Sequence, residues 1–230
     1  MNQSGFTIGK TTDDPTGYNG SNDTIAVLID PSGNIVQQLN IAATGDNIYS
    51  AAISADGKTA LIAYNNGANS YVDLIEFAGS FAQNPTAATV NNLYTGGTND
   101  TIGMTVSDDG SHVAFIDSTT GQVNLFDTAT RTVDATLQAA SSTAQAVDFV
   151  DSNEVVILEN GASNQDVEKF AYGDGGLTNI ITNIQASTTG DRKFKAVENS
   201  GSNGYFILED TGNSKFSIYS ESGSEVGNQA

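Results

Sequence analysis

The sequence predicts an all-β fold, a β-propeller of five four-stranded blades, on three observations. A strand, turn, strand, loop, strand pattern recurs along the 230-residue chain. The second strand of each full repeat is apolar on both faces, the signature of a strand with neighbours on both sides. No segment carries a sustained helical period. Ile29, Ile75, Phe126, Phe170 and Tyr219 occupy equivalent places, with steps of 46, 51, 44 and 49 residues. Four-stranded propeller blades repeat at about 40–50 residues, so one domain over residues 1–230 holds five of them.

The elements follow in order. Residues 1–41 read as a partial blade, with Thr24–Asp30 as its third strand and Asn34–Leu39 as its fourth. Pro31-Ser32-Gly33 turns between them, Gly supplying a positive φ cheaply. Blade 46–98 runs Ile48–Gly57, Ala60–Tyr64, Tyr71–Phe77, and blade 99–140 runs Ile102–Gly110, Val113–Asp117, Gln122–Asp127. Thr132–Leu137 supplies the latter with a weaker fourth strand. Blade 141–186 runs Ala146–Ser152, Val155–Glu159, Val167–Tyr172 and then Leu177–Ile181. Blade 190–230 runs Phe194–Glu198, Tyr205–Glu209 and Lys215–Tyr219, and Glu225–Ala230 is short for a fourth strand. The first copy has no obvious first strand. Four blades, or part of a larger ring, are therefore the alternatives. A sandwich is disfavoured, because it would expose one face of every strand and alternate cleanly.

Composition narrows the function classes. Asp and Glu number 27 against 8 Lys and Arg, a net charge of −19. Such a surface repels nucleic-acid phosphates and anionic membranes, so neither is an expected partner. There is no Cys, which removes disulfides and thiolate metal sites. Ser, Thr and Asn number 22, 25 and 23, yet 8 Tyr, 10 Phe and clustered Val, Ile and Leu supply a core and argue against disorder. No apolar run approaches the roughly 20 residues that span a bilayer. The start, Met1 to Phe6, shows no basic region followed by an apolar stretch. The expectation is a chain that stays in its compartment of synthesis, is already processed, or leaves inside a particle.

At Ser54-Ala55-Asp56-Gly57-Lys58 and Ser107-Asp108-Asp109-Gly110-Ser111 the chain resembles the YVTN-type and lactonase-like β-propeller repeats. Those repeats place a Ser-x-Asp-Gly turn between their first and second strands and a Gly-x-Val-x-Val-hydrophobic-Asp strand after it. Gly121–Asp127 fits the second element. Asp151-Ser152-Asn153 and Ser200-Gly201-Ser202 replace the turn in the last two repeats. The resemblance implies blade geometry, and a lactonase only if a site can be found.

Few residues carry chemistry. His112, the single imidazole, follows a turn and reads as an ordinary surface or turn residue, with no activated Ser context around it. No carboxylate pair stands out as a glycosidase acid and base. Asp13, Asp14 and Asp23 lie in an oxygen-rich loop that could hold Ca²⁺, without the ordered spacing of an EF-hand. A solvated loop explains them as well, as it does Asn65–Ser70. Arg192, Lys193 and Lys195, with Lys169 and Lys215, could face an acidic partner or merely relieve repulsion among acids. No catalytic, cofactor or metal residue is assigned.

Function then follows by elimination: a non-catalytic propeller, exposed on a virion or cell surface as a structural, decoration or adhesion module. The acidic excess points to a high-salt setting, where screening removes self-repulsion. Expected partners are proteins or glycans, identical subunits and capsid or cell-surface proteins included. The alternatives are a secreted or cell-surface carbohydrate- or protein-binding propeller, and a small lactonase-like hydrolase.

Overall fold

The computed structural model describes residues 7–11, 25–29, 32–39, 47–55, 57–65, 69–77, 88–96, 103–117, 119–137, 143–160, 164–171, 178–185, 192–197, 205–210, 215–220 and 222–229. Among them lie nineteen strands in five sheets.

The first sheet is β1 (Thr7–Thr11), β2 (Ile25–Ile29) and β3 (Ile35–Leu39). The second is β4 (Asn47–Ile53), β5 (Thr59–Asn65), β6 (Ser70–Phe77) and β7 (Ala88–Gly96). The third is β8 (Met104–Val106), β9 (His112–Asp117), β10 (Gln122–Asp127) and β11 (Thr132–Leu137). The fourth is β12 (Thr143–Asp151), β13 (Glu154–Asn160), β14 (Asn164–Ala171) and β15 (Thr178–Gln185). The fifth is β16 (Arg192–Val197), β17 (Tyr205–Asp210), β18 (Lys215–Ser220) and β19 (Glu225–Gln229). In every sheet the strands neighbour one another in chain order, as short hairpin connections dictate.

Two details differ from expectation. The first copy gains a strand, β1, paired antiparallel to β2 with Thr7 opposite Ile29. The last copy is completed by β19, paired to β18 with a register shift between Ile218 and Tyr219. Both segments are polar and short, and each is drawn into a ladder by an apolar neighbour that leaves backbone donors and acceptors to be paired.

By Cα packing the chain divides into two compact units, residues 1–113 with 127–132, and 114–126 with 133–230. In the first unit β5 is buried on both faces, with Ala60, Leu61 and Ile62 fully enclosed, alongside Val72, Leu74 and Ile75 of β6. In the second, Ala114, Ile116, Val123 and Leu125 cluster with Val147, Phe149, Val155, Ile157 and Phe170. The opposite face of the fourth sheet, Val150, Val156, Leu158 and Val167, packs on Phe206 and Leu208 of the fifth. Thus β13 is buried on both faces because each face has a sheet against it. The fifth sheet departs from that pattern. Phe206 and Leu208 are buried, whereas Tyr205 is 38% exposed on the other face, so β17 alternates. Among the described residues no helix is long and apolar enough to cross a membrane.

Candidate functional site

The two Ser-x-Asp-Gly turns fold alike. Ser54 N–H donates to the Thr59 carbonyl at 2.8 Å and Gly57 N–H to the Ser54 carbonyl at 3.1 Å; Ser107 and Gly110 repeat this toward His112 and Ser107, at 3.0 and 2.9 Å. Gly57 and Gly110 have φ of 72° and 73°, where only Gly sits without strain. The turns are tied together, since Ala55 N–H donates to the Asp108 carbonyl at 3.0 Å. Thr128, in the turn between β10 and β11, donates its hydroxyl to the Gly110 carbonyl at 2.9 Å. Arg131 closes this end. Its Nη2 donates to Glu76 Oε2 at 2.6 Å, and Asn91 Nδ2 donates to the same oxygen at 3.1 Å. The pair is largely solvated, worth about 0–1 kcal/mol.

His112 opens β9 and is half-buried. Its Nδ1 lies 2.8 Å from Ser111 Oγ, a pairing the sequence reading did not anticipate. The hydroxyl donates its one proton to Asp109 Oδ1 at 2.7 Å, because a carboxylate can only accept. Toward His112 the same oxygen must therefore accept, which makes Nδ1 the donor. In this arrangement the Ser111 proton points to Asp109 and not to the imidazole.

Asp127 ends β10 and accepts from Thr130 N–H at 2.7 Å. That backbone hydrogen bond holds its carboxyl below the usual carboxylate range; partial burial opposes the shift, while the Thr130 hydroxyl, Ala129 N–H and His112 add to it. A depressed folded-state pKa contributes stability above the unfolded value, near 4, which is lost as pH falls through the folded one. Asp127→Ala is therefore expected to cost about 0.5–1 kcal/mol at neutral pH, the net worth of an exposed side-chain-to-backbone hydrogen bond, and to lose less further stability in acid than the parent. Urea midpoints between pH 7 and pH 2 read this directly. Parallel curves for parent and variant would contradict it.

Ligand atoms of His112, which opens β9, and Asp127, which ends β10, lie within 4.8 Å of each other.

A second polar cluster lies at one end of the second sheet. Tyr64 and Tyr71 are cross-strand partners, and their rings stack at 5.1 Å with 17° between planes. Asp73, 5% exposed, accepts from Tyr64 Oη at 3.0 Å and from Asn92 Nδ2 at 2.8 Å. Asn92 Nδ2 also donates to the Tyr94 carbonyl at 3.0 Å, and Thr95 Oγ1 donates to Asn92 Oδ1 at 3.0 Å.

No family model and no curated protein sequence matches the chain. Solved structures do. The C-terminal WD40 domain of Sif2 superposes with a TM-score of 0.58 at 14% identity, covering 90% of this chain and 54% of that one. The structure of U3-55K gives 0.60 at 13% identity, with 91% and 59% covered. The fold is a β-propeller.

This chain thus spans little more than half the length of those two propellers. In all, 766 chains match in fold, and a propeller shared so widely carries no activity of its own. The repeat-level resemblance holds for the propeller fold; the two structures named here are a WD40 domain and U3-55K. Of the residues singled out from sequence, Lys169 bonds Glu154 at 3.2 Å across the β13–β14 pair. Arg192 and Lys193 stand in register opposite Asp210 and Glu209, and Lys215 opposite Asp210. Asp13, Asp14 and Asp23, the turn Ser200–Ser202 and residues 66–68 of the Asn65–Ser70 loop lie outside the described residues.

Proposed function

We propose that the chain is a non-catalytic propeller acting as a surface-exposed structural or binding module, a virion decoration or adhesion protein suited to high salt. The observation that best supports the non-catalytic part is the direction of the Ser111–His112 hydrogen bond. The chain's single imidazole donates to the Ser111 hydroxyl, so it is not held as the base of that hydroxyl. The clusters at strand ends are polar and held by fixed hydrogen bonds, as contact surfaces on rigid scaffolds are. The partner is a protein or a glycan, identical subunits and capsid or cell-surface proteins among the proteins. A charge of −19 supports the high-salt setting, because molar salt shortens screening from about 10 Å to about 3 Å. The alternative kept is a secreted or cell-surface binding propeller; a small lactonase-like hydrolase would need a base other than His112.

Immunogold labelling of the source material tests the reading, with the label expected on virion or cell surfaces. A cytosolic chain that turns over a lactone would overturn it. Melting followed from low salt to molar NaCl should climb steeply, and a flat response would remove the high-salt part.

A further inference from the structure

We propose that the end of the second sheet built on Tyr64, Tyr71, Asp73, Asn92 and Thr95 is a subsite for a neutral sugar ring of a glycan. This rests on the binding-module reading and names its ligand class.

Register brings the residues together. Tyr64 pairs with Tyr71 and Ile62 with Asp73, while Tyr71 pairs with Thr95 and Asp73 with Asn92. Paired residues point to the same side of a sheet, and alternate residues of one strand do too. The five polar side chains therefore share one face across three strands. Tyr64 and Tyr71 are half-buried, and Asn92 and Thr95 are exposed, so the face is reachable and its aromatic floor is not closed into the core.

The direction of each hydrogen bond decides what this face recognises. The Asp73 carboxylate accepts only, so the Tyr64 hydroxyl proton is committed to it and the phenol oxygen can only accept from anything else. Thr95 commits its proton to Asn92, leaving its oxygen an acceptor. Both Asn92 amide protons are directed inward, to Asp73 and to the Tyr94 carbonyl, so Asn92 turns only its Oδ1 to a ligand. Tyr64, Asn92 and Thr95 thus turn acceptors outward beside a pair of rings, and the Tyr71 hydroxyl, which accepts from Asn69 Nδ2 at 3.5 Å, can also donate. A sugar ring matches both features: its hydroxyls donate, and its C–H face lies against the negative face of an aromatic ring. A proline-rich peptide also stacks on Tyr, but its backbone offers carbonyl acceptors where Tyr64, Asn92 and Thr95 need donors. The acidic surface repels anionic sugars, which leaves neutral ones. Because the groups are already held in place, binding does not have to order them.

The test is saturation-transfer NMR with the methyl glycosides of glucose, galactose, mannose and N-acetylglucosamine at millimolar concentration. At least one glycoside should receive saturation at its ring protons. Tyr71→Ala should weaken that signal about fivefold or more, and Thr95→Val, at an exposed position that leaves the stack untouched, should weaken it severalfold, in line with one ring contact or one hydrogen bond. Arg131→Ala, at the opposite end of the hairpins, should leave it unchanged. Silence from all four glycosides overturns the proposal. Equal signal in parent and both variants overturns it too, as does binding of a proline decapeptide at this face instead of a sugar. Surface labelling with no sugar binding would end this inference while leaving the module reading intact.

Discussion

Gly110→Ala is expected to destabilise the protein by about 2–5 kcal/mol. Two effects add. The residue sits at φ +73°, where a side chain costs roughly 1–2 kcal/mol. A Cβ there would also meet Thr59 Oγ1 at 2.5 Å and Thr59 Cβ at 3.0 Å, and overpacking of this kind costs about 1–3 kcal/mol. Relief is hard, because Thr59 opens the fully buried run of β5 and Thr128 bonds the Gly110 carbonyl. Gly33→Ala is the matched control. Its φ is +85°, with nothing within 4 Å of the added carbon, so only the backbone cost applies. Urea unfolding of both variants separates the terms. Equal losses would mean that the two turns are not packed against each other as described.

Phe206→Ala should lose about 3–5 kcal/mol, the usual range for emptying a fully buried aromatic site. Phe206 is 0% exposed and lies among Val150, Val156, Leu158, Val167 and Leu208. It also stacks on Tyr219 at 5.4 Å. Phe216, on the adjoining strand, is 38% exposed and stands opposite Glu209, on the other face. Phe216→Ala should cost far less, nearer the small values of surface substitutions. Similar losses for the two would show that the faces of the fifth sheet are wrongly assigned.

The limits of the sequence reading can be seen in particular residues. Strands β5, β9 and β13 were legible because Ala60–Ala63, Val113–Ile116 and Val155–Leu158 are unbroken apolar runs, and all are buried. Strand β1 was not, because Thr7-Ile8-Gly9-Lys10-Thr11 has one large apolar side chain and becomes a strand only by pairing with β2. Strand β19 is similar, with Gly227 and Asn228 arguing against extension until β18 supplies a ladder. His112 read as an ordinary turn residue, since Asp127 follows it by fifteen positions and only the pairing of strands brings their ligand atoms within 4.8 Å. The cluster of Tyr64, Tyr71, Asp73 and Asn92 was hidden for the same reason. Its members lie on three strands, and nothing in linear spacing reveals their common face.

The sequence by itself determined the class of fold, the repeat, the places of the turns and the acidic coat. These are local properties: period, side-chain type and the Gly that a positive φ requires. Tertiary structure alone decided which polar groups meet and which way their protons point. Ser111 gives its proton to Asp109 rather than to His112, and Tyr64 gives its own to Asp73. Hydrogen-bond direction depends on what stands across the sheet, and a neighbour across a sheet is set by register between strands rather than by distance along the chain.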